Sequence, residues 1–102
     1  MPKVKPLPKF VDRLRKALVE DLGQAGIKAK VEVQPVRTTK LYRFLVLAPK
    51  FARLRHTERQ GLVWRIAERT LDPDQQLRIS MIVTLSDDEA SGKEVRASLR
   101  GN

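Results

Sequence analysis

Apolar residues in the first part of the chain recur three and four positions apart, as they do on one side of a helix. They are Phe10, Val11, Leu14, Ala17, Leu18 and Leu22. Charged residues fill most of the positions between them, so the stretch predicts an amphipathic helix with one buried face. We expect this helix to end at Gly23 or Gly26, because glycine readily adopts the positive φ at which many helices terminate.

After this helix the spacing of apolar residues changes to every second position. Residues 27–33 alternate between apolar and polar side chains, which predicts a strand with one buried face. Pro35 should end this strand or restrict it to an edge of the sheet. The polar segment 37–40 connects it to residues 41–48, a second run rich in β-branched and aromatic side chains. We therefore expect the two strands to form a hairpin.

A capped helix is predicted in the middle of the chain, after a short helical turn at Phe51-Ala-Arg-Leu54. Thr57 and Gln60 have the spacing of a capping box, in which two side chains satisfy free N–H groups at the start of a helix. Apolar residues follow at helical spacing, namely Leu62, Val63, Ile66, Ala67 and Leu71. Asp72-Pro73 should stop the helix, since proline lacks the N–H group that would continue it.

The last part of the chain predicts one more strand and one more helix. Residues 77–85 alternate between two sets of side chains, which indicates the strand. Ser86 and Glu89 repeat the capping-box spacing and predict a brief last helix. The apolar periodicity is then lost, so we expect residues 92–102 to form a flexible tail. Residues 1–8, where prolines alternate with lysines, are expected to form an extended basic arm.

These elements predict a single α+β domain over residues 9–91. A chain of 102 residues, of which 41% are hydrophobic, has room for one core. We expect a three-stranded mixed sheet with the helices packed on one face. No stretch approaches the roughly 20 apolar residues of a membrane span, so we expect a cytoplasmic protein without a membrane partner.

The positive charge of the chain is concentrated in its first sixty residues. The chain has 21 Lys+Arg and 12 Asp+Glu, a net charge of +9, and residues 1–60 hold 15 of the basic and 5 of the acidic side chains. Such an excess indicates an anionic partner, for which RNA or DNA is the first candidate. The absence of cysteine excludes disulfides, thiolate nucleophiles and Cys-ligated metal sites supplied by this chain.

Three segments, in the predicted order, resemble the BolA family, whose members have a class II KH-like fold. Phe44-Leu-Val-Leu-Ala-Pro-Lys-Phe51 looks like the family's second strand and the aromatic turn after it. Arg59-Gln-Gly-Leu-Val-Trp64 is similar to the family's helix motif Arg-His-Arg-Leu-Val-Tyr. Residues 77–89 resemble its last strand, which ends in Thr-Pro-Glu-Glu. The resemblance covers residues 10–89 and implies the order α-β-β-α-α-β-α.

BolA-like proteins pair with monothiol glutaredoxins and supply histidine to a shared 2Fe-2S cluster, so the resemblance implies a glutaredoxin-like partner. The family's histidine before its last strand corresponds to Arg78, and its helix-motif histidine corresponds to Gln60. The only histidine, His56, lies outside the family's ligand positions. The Gly-x-x-Gly loop of KH domains is replaced by Arg53-Leu-Arg-His56. We therefore expect this chain to hold no metal or other cofactor.

Basic residues flank the predicted start of the middle helix, where free N–H groups and the helix dipole attract anions. The residues predicted to bind phosphate there are Lys50, Arg53, Arg55 and Arg59, extended around the hairpin by Arg37, Lys40 and Arg43. The alternative is a solvated loop whose arginines only keep the protein soluble. Tyr42 and Trp64 lie within apolar runs, so we expect both rings to pack against the core rather than to stack on bases.

No arrangement of side chains indicates catalysis. A metal site requires several converging donors and a general base requires a nucleophile beside it, so His56 alone supports neither. The acidic groups at 72–74 and 87–89 lie at predicted helix ends, where carboxylates stabilise free N–H groups. We therefore predict a non-catalytic module that binds RNA or DNA. The alternative is a BolA-type adaptor that docks on a glutaredoxin-like protein without metal ligands of its own.

Overall fold

A computed structural model describes residues 7–91 of the chain. The elements, in order, are α1 (Lys9–Gln24), β1 (Lys30–Pro35), β2 (Tyr42–Leu47), a 3-10 helix (Pro49–Arg53), α2 (His56–Thr70), α3 (Pro73–Gln76), β3 (Ile79–Leu85) and α4 (Asp87–Ser91). They form the predicted α+β domain. Residues 1–6 of the predicted arm and the whole predicted tail, 92–102, lie outside the described residues. None of the helices in residues 7–91 is long and apolar enough to cross a membrane.

The three strands form one mixed sheet with β2 in the centre. β1 pairs antiparallel with β2, as the predicted hairpin requires, and β2 pairs in parallel with β3. Val33 lies opposite Phe44, and Phe44 lies opposite Ile82, so these three side chains point to the same face. This face carries the buried residues of the sheet.

The hydrophobic core lies between this face of the sheet and the helices α1 and α2. It contains Val11, Leu14, Leu18 and Leu22 of α1, Val63, Ile66 and Ala67 of α2, Phe44, Val46, Ile79 and Ile82 of the sheet, and Phe51 of the 3-10 helix. Burial of side chains of this size stabilises a fold by about 1.5 to 3 kcal/mol each. The prediction that the helices pack on one face of a mixed sheet is confirmed.

The first strand begins later than the alternation of residues 27–33 predicts. Ile27 is buried, but its N–H group donates to the carbonyl of Leu22 at 2.8 Å, and Gly26 has a φ of +82°. These two residues therefore close the C-terminus of α1, in the way that helices often end on glycine. Pairing with β2 starts only at Lys30.

The predicted capping box of Thr57 with Gln60 is wrong. The residue that caps α2 is Arg55, two positions before Thr57, and the carboxylate of Glu58 accepts a hydrogen bond from the N–H group of Arg55 at 2.8 Å. Gln60 instead donates from Nε2 to the carbonyl of Ile82 at 2.8 Å. The glutamine lies too far along the helix to reach its start, and it binds the edge of β3.

The starts of α3 and α4 have complete capping boxes. The N–H group of Ser86 donates to Glu89 at 2.8 Å and the N–H group of Glu89 donates to Oγ of Ser86 at 3.2 Å, which confirms the predicted box of α4. Asp72 and Gln75 form an equivalent pair at the start of α3. The prediction missed α3, because Asp72-Pro73 stops one helix and also starts the next.

Candidate nucleic-acid interface

The residues predicted to bind phosphate lie at two opposite ends of the sheet. Lys50 and Arg53 belong to the 3-10 helix that follows the last residue of β2, whereas Arg37 and Lys40 belong to the loop before its first residue. The six residues of β2, at about 3.3 Å each, hold the two groups about 20 Å apart. The structure therefore does not bring the predicted residues together in one surface.

Four cations lie at the end of the sheet that carries the 3-10 helix; we call this group the basic end. It consists of Lys28, Lys50, Arg53 and Arg55, all of them exposed. The turn at Gly26 brings the α1–β1 loop against the 3-10 helix, since Nζ of Lys50 lies 3.4 Å from the position a Cβ would take at Gly26. Lys50 and Arg53 line a shallow depression with Ala25 and Ile27, and Lys28 lines a second depression with Pro49.

The side chains of the basic end form no ion pair within residues 7–91. Elsewhere in this part of the chain, Asp12 pairs with Arg15 and Lys16, and Asp21 pairs with Arg69. The exposed carboxylate of Asp87 lines the depression at Lys28 and moderates the charge there. Within residues 7–91 the cations of the basic end are therefore not held in ion pairs, and Asp87 is the acidic side chain that lines a depression with one of them.

Lys28 is not among the residues predicted to bind phosphate. The alternation of residues 27–33 indicates only that Lys28 and Lys30 point to water. It holds no information about the neighbouring 3-10 helix. Lys30 lines the same depression as Lys28, but it lies opposite Leu47 in the sheet and points to the side away from the helices.

Arg59 is not available to a ligand, in contrast to the prediction. Its side chain is only 8% exposed. The guanidinium donates to the carbonyl of Leu54 at 3.1 Å, to the carbonyl of Thr84 at 3.3 Å and to the carboxylate of Glu89 at 2.8 Å. It also lies 5.7 Å from the centre of the Phe51 ring. Arg59 therefore joins the 3-10 helix, β3 and α4, and we leave it out of the candidate site.

The Arg59–Glu89 pair makes part of the folding stability depend on pH. The hydrogen bond from the guanidinium of Arg59 lowers the pKa of Glu89 below the usual 4.5. A carboxyl group with a lowered pKa stabilises the fold above its unfolded pKa, and this contribution is lost as the pH falls through the folded value. We expect the native protein to lose more thermal stability than the E89Q variant between about pH 6 and pH 3. Equal losses in circular dichroism melts would contradict this prediction.

The remaining predicted residues lie around the hairpin and on the sheet. Arg37 and Lys40 are exposed in the loop, where Thr38 has a φ of +61°. Arg43 lies on the face of the sheet away from the helices and donates to Oε1 of Gln34 at 2.6 and 3.1 Å. These three cations are not part of the basic end.

Tyr42 and Trp64 both pack against the core, as predicted. The ring of Tyr42 meets that of Phe10 edge to face at 6.4 Å, and the guanidinium of Arg78 lies over both rings. Nε1 of Trp64 donates to Oε1 of Gln60 at 3.1 Å. Tyr42 therefore has the role of a core residue, and Arg78, which also donates to the carbonyl of Lys40, closes the hairpin against α1.

A shallow groove runs between α2 and the free edge of β3. Its lining consists of His56, Gln60 and Trp64 from α2 and of Ser80, Met81, Ile82 and Val83 from β3. His56 is the first residue of α2, so the groove opens beside Arg55 of the basic end. In residues 7–91 no group of three or more His, Cys, Asp or Glu side chains is arranged to hold a metal ion.

Comparison with protein-family models, with curated proteins and with solved structures finds no match for this chain.

Proposed function

We propose that this chain is a non-catalytic module that binds RNA or DNA by holding the phosphate backbone against the basic end. The proposal is carried by one observation: Lys28 from the α1–β1 loop and Lys50, Arg53 and Arg55 from the segment 50–55 lie at one end of the sheet without ion pairs within residues 7–91. Like charges held together repel each other, so an anion that binds between them lowers the free energy of the folded protein.

The position of α2 adds to this attraction. Arg55 immediately precedes the first residue of this 15-residue helix, so the positive end of the helix dipole lies beside Arg55, although the carboxylate of Glu58 already accepts one N–H group there. Phosphate groups repeat at short intervals along a nucleic acid, and several exposed cations can therefore contact successive phosphates of one strand. Such contacts position a strand without reading its bases. Because Tyr42 and Trp64 pack against the core, we propose little recognition of sequence.

The salt dependence of binding tests this proposal. Three to four phosphate contacts predict a slope of about −2 to −4 when the logarithm of the association constant is plotted against that of the salt concentration. Fluorescence anisotropy with labelled single-stranded RNA and duplex DNA at several salt concentrations measures this slope. A peptide nucleic acid of the same sequence, which has bases but no phosphates, is the matched control. We expect no binding to it.

The alternative is a BolA-type adaptor that docks on a glutaredoxin-like protein. It is favoured by the element order and the mixed sheet, which agree with what the family resemblance implies. The positions that correspond to family ligands hold Gln60 and Arg78, which bind the carbonyls of Ile82 and Lys40. Absence of nucleic-acid binding at low salt, together with co-purification of a stable protein partner, would replace the first proposal by this one.

A further inference from the structure

The face of the sheet that points away from α1 and α2 carries five apolar residues that do not belong to the core. They are Leu45 and Leu47 of β2 and Met81, Val83 and Leu85 of β3. Met81 is 46% exposed, and the other four are half-buried. We call this surface the open face. On a monomer it exposes apolar side chains on two neighbouring strands, which is typical of a surface that another protein covers.

Paired residues form rows that run across the three strands of the open face. In two successive rows, two apolar side chains lie beside one charged side chain, and the charges are opposite. In the first row Leu45 lies between Glu32 of β1 and Val83 of β3. In the second row Leu47 lies between Lys30 and Leu85. Glu32 and Lys30 are both exposed. Each row thus has two apolar residues beside one charged residue, and the sign of the charge differs between the two rows.

We propose that a second copy of this chain covers the open face in a symmetric dimer. Consider a two-fold axis that lies between the two sheets, runs parallel to them and across the strands, and passes midway between the two rows. It places each row against the other row of the second copy. Lys30 then faces Glu32 of the second copy, and Glu32 faces its Lys30. The same operation places Leu47 against Leu45 and Leu85 against Val83, so these two rows are complementary to their copies in both charge and apolar character.

The open face is smaller in area than a standard protein–protein interface. Three strands of about six residues cover about 14 by 20 Å, which is less than the roughly 800 Å² per partner of a standard interface. We therefore expect weak, reversible dimers that form only at high protein concentration. The inference does not rest on the proposed function.

Variants in which the charge at position 30 or 32 is reversed test the dimer. Sedimentation velocity of the nuclease-treated full chain should show dimers at about 100 μM. We expect the K30E variant and the E32K variant each to associate at least about tenfold more weakly, because each places like charges opposite each other. An equimolar mixture of the two variants should associate like the native protein, since its opposite charges face each other again. The K30E/E32K double variant should also dimerise.

The V83K variant is the control for the apolar part of the face, and it should remain monomeric in every mixture. Val83 lies outside the core, so circular dichroism should show an unchanged fold. A native protein that stays monomeric at several hundred micromolar would overturn the proposal. It would instead indicate that a segment of the same chain or another partner covers the face. Dimers that are unaffected by both K30E and E32K would overturn it as well, because they would use a different surface.

Discussion

Replacement of Arg59 by alanine is expected to lower the free energy of unfolding by about 3 kcal/mol. The buried guanidinium satisfies the carbonyls of Leu54 and Thr84 and contacts the ring of Phe51. Loss of the donors leaves both carbonyls short of a partner and opens a cavity beside the ring. The ion pair with Glu89 contributes the smaller part, because that carboxylate is 47% exposed and screened by water.

Thermal and urea denaturation followed by circular dichroism measure this effect. For a domain of this size we expect the melting temperature to fall by roughly 10 to 20 °C. Arg53→Ala is the matched control, since it removes the same side chain from an exposed position six residues earlier. We expect the control to change the stability by less than about 0.5 kcal/mol. Equal stabilities of the two variants would show that Arg59 does not hold the fold together.

Reversal of two charges at the basic end should weaken nucleic-acid binding by about 30-fold at low salt. The variant K50E/R53E removes two cations that line one depression and puts two anions in their place. The matched control is R37E/K40E, which also exchanges one lysine and one arginine but at the hairpin, about 20 Å away. Both variants change the net charge equally, so a difference between them reports the position of the site.

We expect the hairpin variant to lose less than about threefold in affinity, through the net charge alone. All four positions are exposed, and both proteins should keep the circular dichroism spectrum of the native fold. Equal losses would contradict a localised site and would indicate that the whole basic surface attracts the nucleic acid. A larger loss in R37E/K40E would move the site to the hairpin.

Much of the fold could be predicted because its signals are local. The spacing of apolar residues indicates α1, α2 and the three strands, since a helix and a strand each repeat with a fixed period. The box of Ser86 and Glu89 was predicted because both partners lie within four residues of each other. The start of α2 was misplaced by two residues because Glu58 and Gln60 are both capable of capping a helix. The sequence does not show which of them stays at the helix start.

The third strand shows a limit of periodicity. Its alternation identifies a strand, but not which set of side chains is buried. Tyr42 pairs with Ile79 while Arg43 pairs with Met81, so Ser80 is an extra residue that shifts the register. Ile79 and Ile82 are consequently both buried, whereas Met81 points away from the core. An extra residue of this kind depends on how the neighbouring strand fits.

By itself the sequence determined the type and order of the elements, the α+β class and the size of the positive charge, because these follow from neighbouring residues and from composition. Only the tertiary structure decided which cations act together. It buried Arg59 against Glu89, separated the hairpin from the 3-10 helix by the length of β2, and brought Lys28 beside the 3-10 helix. These arrangements depend on contacts between residues distant in the chain, and the period of a single element contains no information about its neighbours.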